Sequence, residues 1–89
     1  MKKFRLEAKR RVRSDLQGLP KRTLNSIDKT IRNLQENPFP PGKKIKAIKG
    51  AEKTFRYRIG DYRIIYEVGS ETITILAIIH RRDLKKFQW

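Results

Sequence analysis

The feature that most constrains this chain is a change of period. Before residue 37 the apolar residues recur every three or four positions; from residue 54 they recur every second one. Successive side chains of a β-strand point to opposite faces. In the block Phe55-Arg56-Tyr57-Arg58-Ile59-Gly60-Asp61-Tyr62-Arg63-Ile64-Ile65-Tyr66-Glu67-Val68, Phe55, Tyr57 and Ile59 therefore share one face, and Arg56 and Arg58 the other. Gly60-Asp61 is a turn pair, after which Tyr62, Ile64, Tyr66 and Val68 alternate with Arg63, Ile65 and Glu67. Two such runs across a two-residue turn predict a hairpin. Gly69-Ser70 makes a second turn. In the next run Ile73, Ile75, Ala77 and Ile79 are expected on one face, and Thr72, Thr74, Leu76 and Ile78 on the other. That strand is apolar on both faces over residues 75–79, so it belongs in the interior of a sheet. Lys44-Ile45-Lys46-Ala47-Ile48-Lys49 offers one more strand, with Ile45 inward.

The first half follows helical spacing. Phe4 and Leu6 alternate with basic residues as a short strand over residues 2–6. Ala8, Val12, Leu16 and Leu19 then mark one helical face, closed by Gly18 and Pro20. Leu24, Ile27, Ile31 and Leu34 mark a second helix from about residue 20 or 21 to residue 36, about 25 Å long. Asn37-Pro38-Phe39-Pro40-Pro41-Gly42 stops it, since three prolines in four residues cannot continue a helix. The expected fold class is α+β: an N-terminal strand, a two-helix hairpin, then an antiparallel sheet of three to four strands packed on the helices.

Size and composition narrow the function. At 89 residues one domain over residues 1–89 is expected, and a chain this small buries only about 60% of its unfolded surface. No Cys and one His exclude a disulfide framework, a thiol nucleophile and any usual zinc site. A charged fraction of 36% leaves no apolar run long enough to span a membrane. The basic N-terminus has no apolar stretch behind it, unlike a signal peptide. A cytoplasmic protein is expected, with no membrane partner. There are 23 Lys and Arg against 9 Asp and Glu, a net charge of +14. Solubility is usually met by about 2–8 charges in a small domain. The excess points to a polyanionic partner, nucleic acid first.

The charge is placed unevenly. Three basic blocks, residues 1–22, 43–63 and 81–89, are separated by neutral or slightly acidic ones. With Phe55, Tyr57 and Ile59 packed under the helices, Arg56, Arg58 and Arg63 must share the open face. The turn brings Arg58 and Arg63 to about one cross-strand neighbour of each other, roughly 5–8 Å between Cβ atoms. Like charges so opposed are destabilising, and no acid alternates with them. One reading is a solvated face. The other is a phosphate site, because guanidinium is planar, always charged and bidentate to phosphate oxygens.

His80 opens the run His80-Arg81-Arg82. A lone His serves either packing or proton transfer, and it is the one side chain here whose unperturbed pKa lies near neutral. Arg81 and Arg82 point in alternate directions, so one of them joins the patch. Phe87 and Trp89 either cap a small core or stack on unpaired bases. No carboxylate cluster has ligand spacing, and no Gly-rich phosphate loop or nucleophile motif occurs. Chemistry that suits cations alone is RNA cleavage by its own 2′-OH: the substrate brings the nucleophile, while the protein aligns it and stabilises the charge that develops. Arg does not deprotonate in proteins, so the proton carriers are His80, a Lys, or groups on the substrate.

The order of elements, the Pro-rich exit from the second helix, the arginine hairpin around Gly60-Asp61-Tyr62-Arg63 and the ending Ile79-His80-Arg81-Arg82-Asp83 resemble the RelE/ParE toxin superfamily over nearly the whole chain. The resemblance implies the toxin of a toxin–antitoxin pair. RelE-like members cleave mRNA in the ribosomal A site without a metal or other cofactor; ParE-like members poison DNA gyrase. It implies that Arg56, Arg58, Arg63 and Arg82 are catalytic, with His80 as a candidate proton carrier. Arg81, Lys85, Lys86, Phe87 and the lysines Lys44, Lys46 and Lys49 would bind RNA. The family's C-terminal Tyr has no counterpart, and Lys85 stands near its place. Either Lys85 or His80 takes over proton transfer, or Phe87 keeps the stacking role alone, or the catalytic machinery is weaker; the departure also lends weight to a ParE-like target, while the intact Arg trio favours the nuclease. A charge-only RNA- or ribosome-binding module is the third reading. The resemblance also implies an acidic antitoxin that folds on binding, besides ribosome and mRNA.

Overall fold

The structure, a computed structural model, describes residues 3–40, 42 and 44–87. Its elements are β1 (Arg5–Ala8), α1 (Arg11–Leu16), α2 (Lys21–Glu36), β2 (Ile45–Ala47), β3 (Thr54–Ile59), β4 (Tyr62–Val68), β5 (Thr72–His80) and a terminal 3₁₀ helix, Arg81–Lys86. The sheet order is β1-β5-β4-β3-β2. Strands β2 to β5 form an antiparallel meander, and β1 adds to β5 in parallel.

The α+β class is as expected, with two refinements at the N-terminus. The first strand is a full member of the sheet and raises it to five strands. The first helix is only six residues long, because Ala8, expected on its apolar face, ends β1 opposite Ile75. Pairing with β5 satisfies backbone groups that an exposed sheet edge would leave open. The helical spacing nevertheless served its purpose: Val12 is buried, and Leu16 and Leu19 pack against the same core.

Helix α2 has the predicted bounds. Ile27 and Leu34 are 2% and 1% exposed, on the stripe that faces the sheet, and Ile31 packs beside them. Each such side chain contributes about 1.5–3 kcal/mol by burial. After Asn37, Pro38 is tied to the sheet: the Tyr66 hydroxyl donates to its carbonyl at 2.8 Å. Phe39 meets Phe55 edge-on at 5.1 Å, so the chain leaving α2 is fixed above β3.

Ile59 pairs with Tyr62 and Arg58 with Arg63, as a two-residue turn requires. Gly60 has φ +57°, the left-handed conformation that this turn demands and that side chains disfavour. Strand β5 departs from simple alternation. A register shift opposite Ile65 and Tyr66 leaves Leu76 as an extra residue between Ile75 and Ala77. The bulge reverses the phase. Ile73, Ile75 and Ile78 face the helices, whereas Ala77 and Ile79 lie on the opposite face with Ile65. Among the described residues no helix is long and apolar enough to cross a membrane.

Candidate functional site

The sheet face turned away from α2 is divided in two. Over β4 and β5, Ile65, Ala77 and Ile79 are covered by Leu84 and Phe87 of the C-terminal segment. Over β2, β3 and β4 the face is open and basic. Two rows of side chains cross it. In one, Lys46 pairs with Arg56, which pairs with Ile65. In the other, Arg58 pairs with Arg63, which pairs with Ile79. Lys44 extends that row, its carbonyl accepting the Arg58 N–H at 2.8 Å. Lys44, Ile45, Lys46, Arg56, Arg58 and Arg63 together line a groove of about 550 Å³. Five of these six residues are cationic, which gives the groove the charge and the fork geometry that phosphate oxygens take.

The β3–β4 turn organises the end of this groove. Arg63 curls back so that Nη1 donates to the carbonyls of Gly60 at 3.2 Å and Tyr62 at 3.0 Å. Burial, then the nearby Arg56, Arg58 and Arg81, hold its proton affinity below the ordinary arginine range, partly offset by Asp61. Its charge is therefore held in an unfavourable field that an anion would relieve. Arg81 is anchored to the same turn. Its N–H donates to the Asp61 carbonyl at 2.7 Å, and its Nε lies 3.5 Å from Asp61 Oδ1.

The remaining predicted residues fall elsewhere. Arg82, the implied C-terminal catalytic Arg, is exposed and gives its backbone N–H to His80 Nδ1 at 3.2 Å; it is Arg81 that shares Arg63's field. His80 pairs with Tyr62 and meets its ring edge-on at 5.1 Å. Tyr62 packs against the helix-side core, so His80 lies on the face opposite the arginines. With Nδ1 accepting, the neutral ring carries its proton on Nε2. His80 thus caps the 3₁₀ helix and stands apart from the groove. Lys85 and Lys86 are exposed on that helix. Phe87 packs on the second core with the Arg11 guanidinium 5.1 Å above its ring, so one aromatic face is occupied. Lys49 is exposed beyond β2 and does not line the groove. Trp89 lies outside the described residues.

Two residues with a part in this geometry carried no sequence signal beyond their charge. Asp15, on α1, accepts the Ile78 N–H at 3.0 Å where β1 has ended, and holds Arg11 with both oxygens at 3.0 and 3.1 Å. It thereby closes the open edge of β5 and aims Arg11 at Phe87. The other is Asp61, which sequence placed only in a turn.

With this fold and groove described, comparison with known proteins identifies the class. Residues 6–85 match the model of the ParE toxin of type II toxin–antitoxin systems (parDE), and the chain belongs to this family of toxins. The chain is also similar to RelE proteins. RelE1 of Methanocaldococcus jannaschii is 39% identical over 83 residues, which cover 91% of this chain and 92% of that protein. The fold superposes on the archaeal RelE–RelB complex of Pyrococcus horikoshii with a TM-score of 0.78 at 30% identity, covering 89% of this chain and 96% of that one. The RelB–RelE antitoxin–toxin complex of Methanococcus jannaschii gives 0.75 at 28% identity, covering 90% and 95%. The protein is a RelE-like toxin of a type II toxin–antitoxin system.

Proposed function

We propose that this toxin is an endoribonuclease that cuts mRNA in the ribosomal A site, by attack of the RNA's own 2′-OH on the adjacent phosphodiester. The observation that carries the reading is the registered pair Arg58 and Arg63, joined by Arg56, Lys44 and Lys46 in one groove. The 2′-OH gives its proton to water, the 2′-oxygen bonds to phosphorus and the 5′-oxygen leaves with a proton taken from the groove, giving a 2′,3′-cyclic phosphate and a 5′-hydroxyl. The guanidiniums stabilise the charge on the phosphorane and hold the two oxygens in line. Because Arg does not deprotonate, the ammonium groups of Lys44 and Lys46 are the proton donors that the groove offers to the 5′-oxygen. The reading needs no metal, because the RNA brings its own nucleophile and the groove supplies the positive charge. The ribosome as the place of action rests on the RelE resemblance. A cognate antitoxin is supported by the solved complexes with RelB, and a net charge of +14 suits an acidic one.

Purified protein added to translating ribosomes, with message ends mapped by primer extension, tests this. New A-site ends are expected, and their absence at high protein excess would refute it. The match to the ParE model favours one other reading, inhibition of DNA gyrase. A supercoiling assay separates the two, and unaffected gyrase is the expected result.

A further inference from the structure

We infer that Asp61 is a positioning residue: the carboxylate in the β3–β4 turn holds Arg81 beside Arg63 and so completes a four-guanidinium site on the basic groove. The inference rests on the cleavage reading. Its basis is that one turn supplies the anchors for both arginines. The carbonyls of Gly60 and Tyr62 take Arg63 Nη1, and the carbonyl and carboxylate of Asp61 take the backbone N–H and Nε of Arg81.

The donors left over matter. With Nε facing Asp61, Arg81 keeps its Nη1–Nη2 edge for phosphate. With Nη1 on the turn carbonyls, Arg63 keeps its Nε–Nη2 edge. Two fork edges then remain from two side chains held by one rigid loop, a geometry suited to bridging the non-bridging oxygens of a phosphorane. Without the carboxylate, Arg81 is left with the like charge of Arg63, and its long side chain, already mostly exposed, turns into solvent. Both members of the pair are largely exposed, at 66% and 62%, so the contact adds little to stability. Its effect falls on orientation.

Simple electrostatics predicts the opposite of positioning. A carboxylate beside an RNA site repels phosphate, so its removal should tighten binding and leave turnover unchanged or faster. Asp61→Asn keeps the backbone carbonyl and removes only the charge. On translating ribosomes, we expect Asp61→Asn to lower kcat on the order of 10- to 100-fold with KM unchanged or reduced. Asp61→Glu should recover part of the loss. In an Arg81→Ala background Asp61→Asn should have no further effect on kcat. A kcat equal to or above wild type in Asp61→Asn, or the same loss with and without Arg81, would overturn the inference. Nitrogen-15 relaxation of the Arg81 Nε–H in the free protein gives a readout independent of cleavage. It should be ordered in wild type and mobile in Asp61→Asn; equal order in both also overturns the inference. A wild-type protein that cuts no message would defeat the cleavage reading and leave this measurement to decide the role of Asp61.

Discussion

Arg58 on β3 and Arg63 on β4 are directly registered partners on one open face of the sheet, with no acid in the row between them. Opposed like charges weaken a strand pair by about 0.2–1 kcal/mol. Arg63 also sits below its ordinary proton affinity through burial and three other arginines, so folding works against its charge. Arg63→Ala should therefore leave unfolding free energy equal to wild type or raised by up to about 1 kcal/mol. Cleavage should fall on the order of 100- to 1,000-fold, as for loss of one pre-organised donor. Denaturant titration and cleavage rates on the same preparation check both. Loss of stability in parallel with activity would mean that the arginines serve the fold.

Lys44 and Lys46 line the groove without facing Arg63 across a strand. Each should contribute one phosphate contact. Lys46→Ala is expected to reduce the slope of log K against log salt by about 0.7 for single-stranded RNA. Filter binding to a short RNA over a salt series measures it. Lys49→Ala, outside the groove, should leave the slope unchanged.

Tyr66 is fully buried, at 0% exposure, and its hydroxyl donates to Pro38. Burial first, and Tyr57 second, raise its pKa above the usual tyrosine value. The folded state thus favours the neutral phenol. This contribution is fully present below about pH 10, where the unfolded chain also keeps its proton, and is lost as pH rises through the folded pKa. Urea midpoints should therefore fall between neutral pH and pH 11. Tyr66→Phe should flatten that slope while costing about 1–3 kcal/mol at pH 7, since the buried Pro38 carbonyl loses its donor.

Asp15 ties α1 to β5 through one carboxylate, which is 12% exposed, and holds Arg11 on the same helix. Asp15→Ala leaves the Ile78 N–H without its acceptor and releases Arg11, at a cost of about 1–3 kcal/mol. Asp15→Asn keeps an acceptor oxygen and should cost less. Hydrogen exchange at the Ile78 amide is the specific readout: it should accelerate strongly in the alanine variant and weakly in the asparagine one.

Local chemistry explains what was legible in the sequence. The bounds of α2 follow from Leu24, Ile27, Ile31 and Leu34 between two proline punctuations. The register of Arg58 with Arg63 follows from a two-residue Gly60-Asp61 turn and strict alternation around it. What escaped depends on contacts distant in sequence. Parallel pairing of β1 with β5 joins residues nearly seventy positions apart, and nothing in residues 5–8 announces it. The bulge at Leu76 is silent because both faces of β5 are apolar, so a phase reversal leaves the pattern unchanged. His80 is the one imidazole, and its face is set by that same reversal, which takes it to the side of Tyr62. The contact of Arg81 with Asp61 escaped because it forms only where β5 ends beside the turn.

The role of the arginine groove in cleavage is tested most directly by primer extension on messages from translating ribosomes, with wild type and Arg63→Ala compared at equal folded concentration. New A-site ends are expected with wild type, and their near disappearance with Arg63→Ala. Unchanged cleavage by the variant would contradict that role.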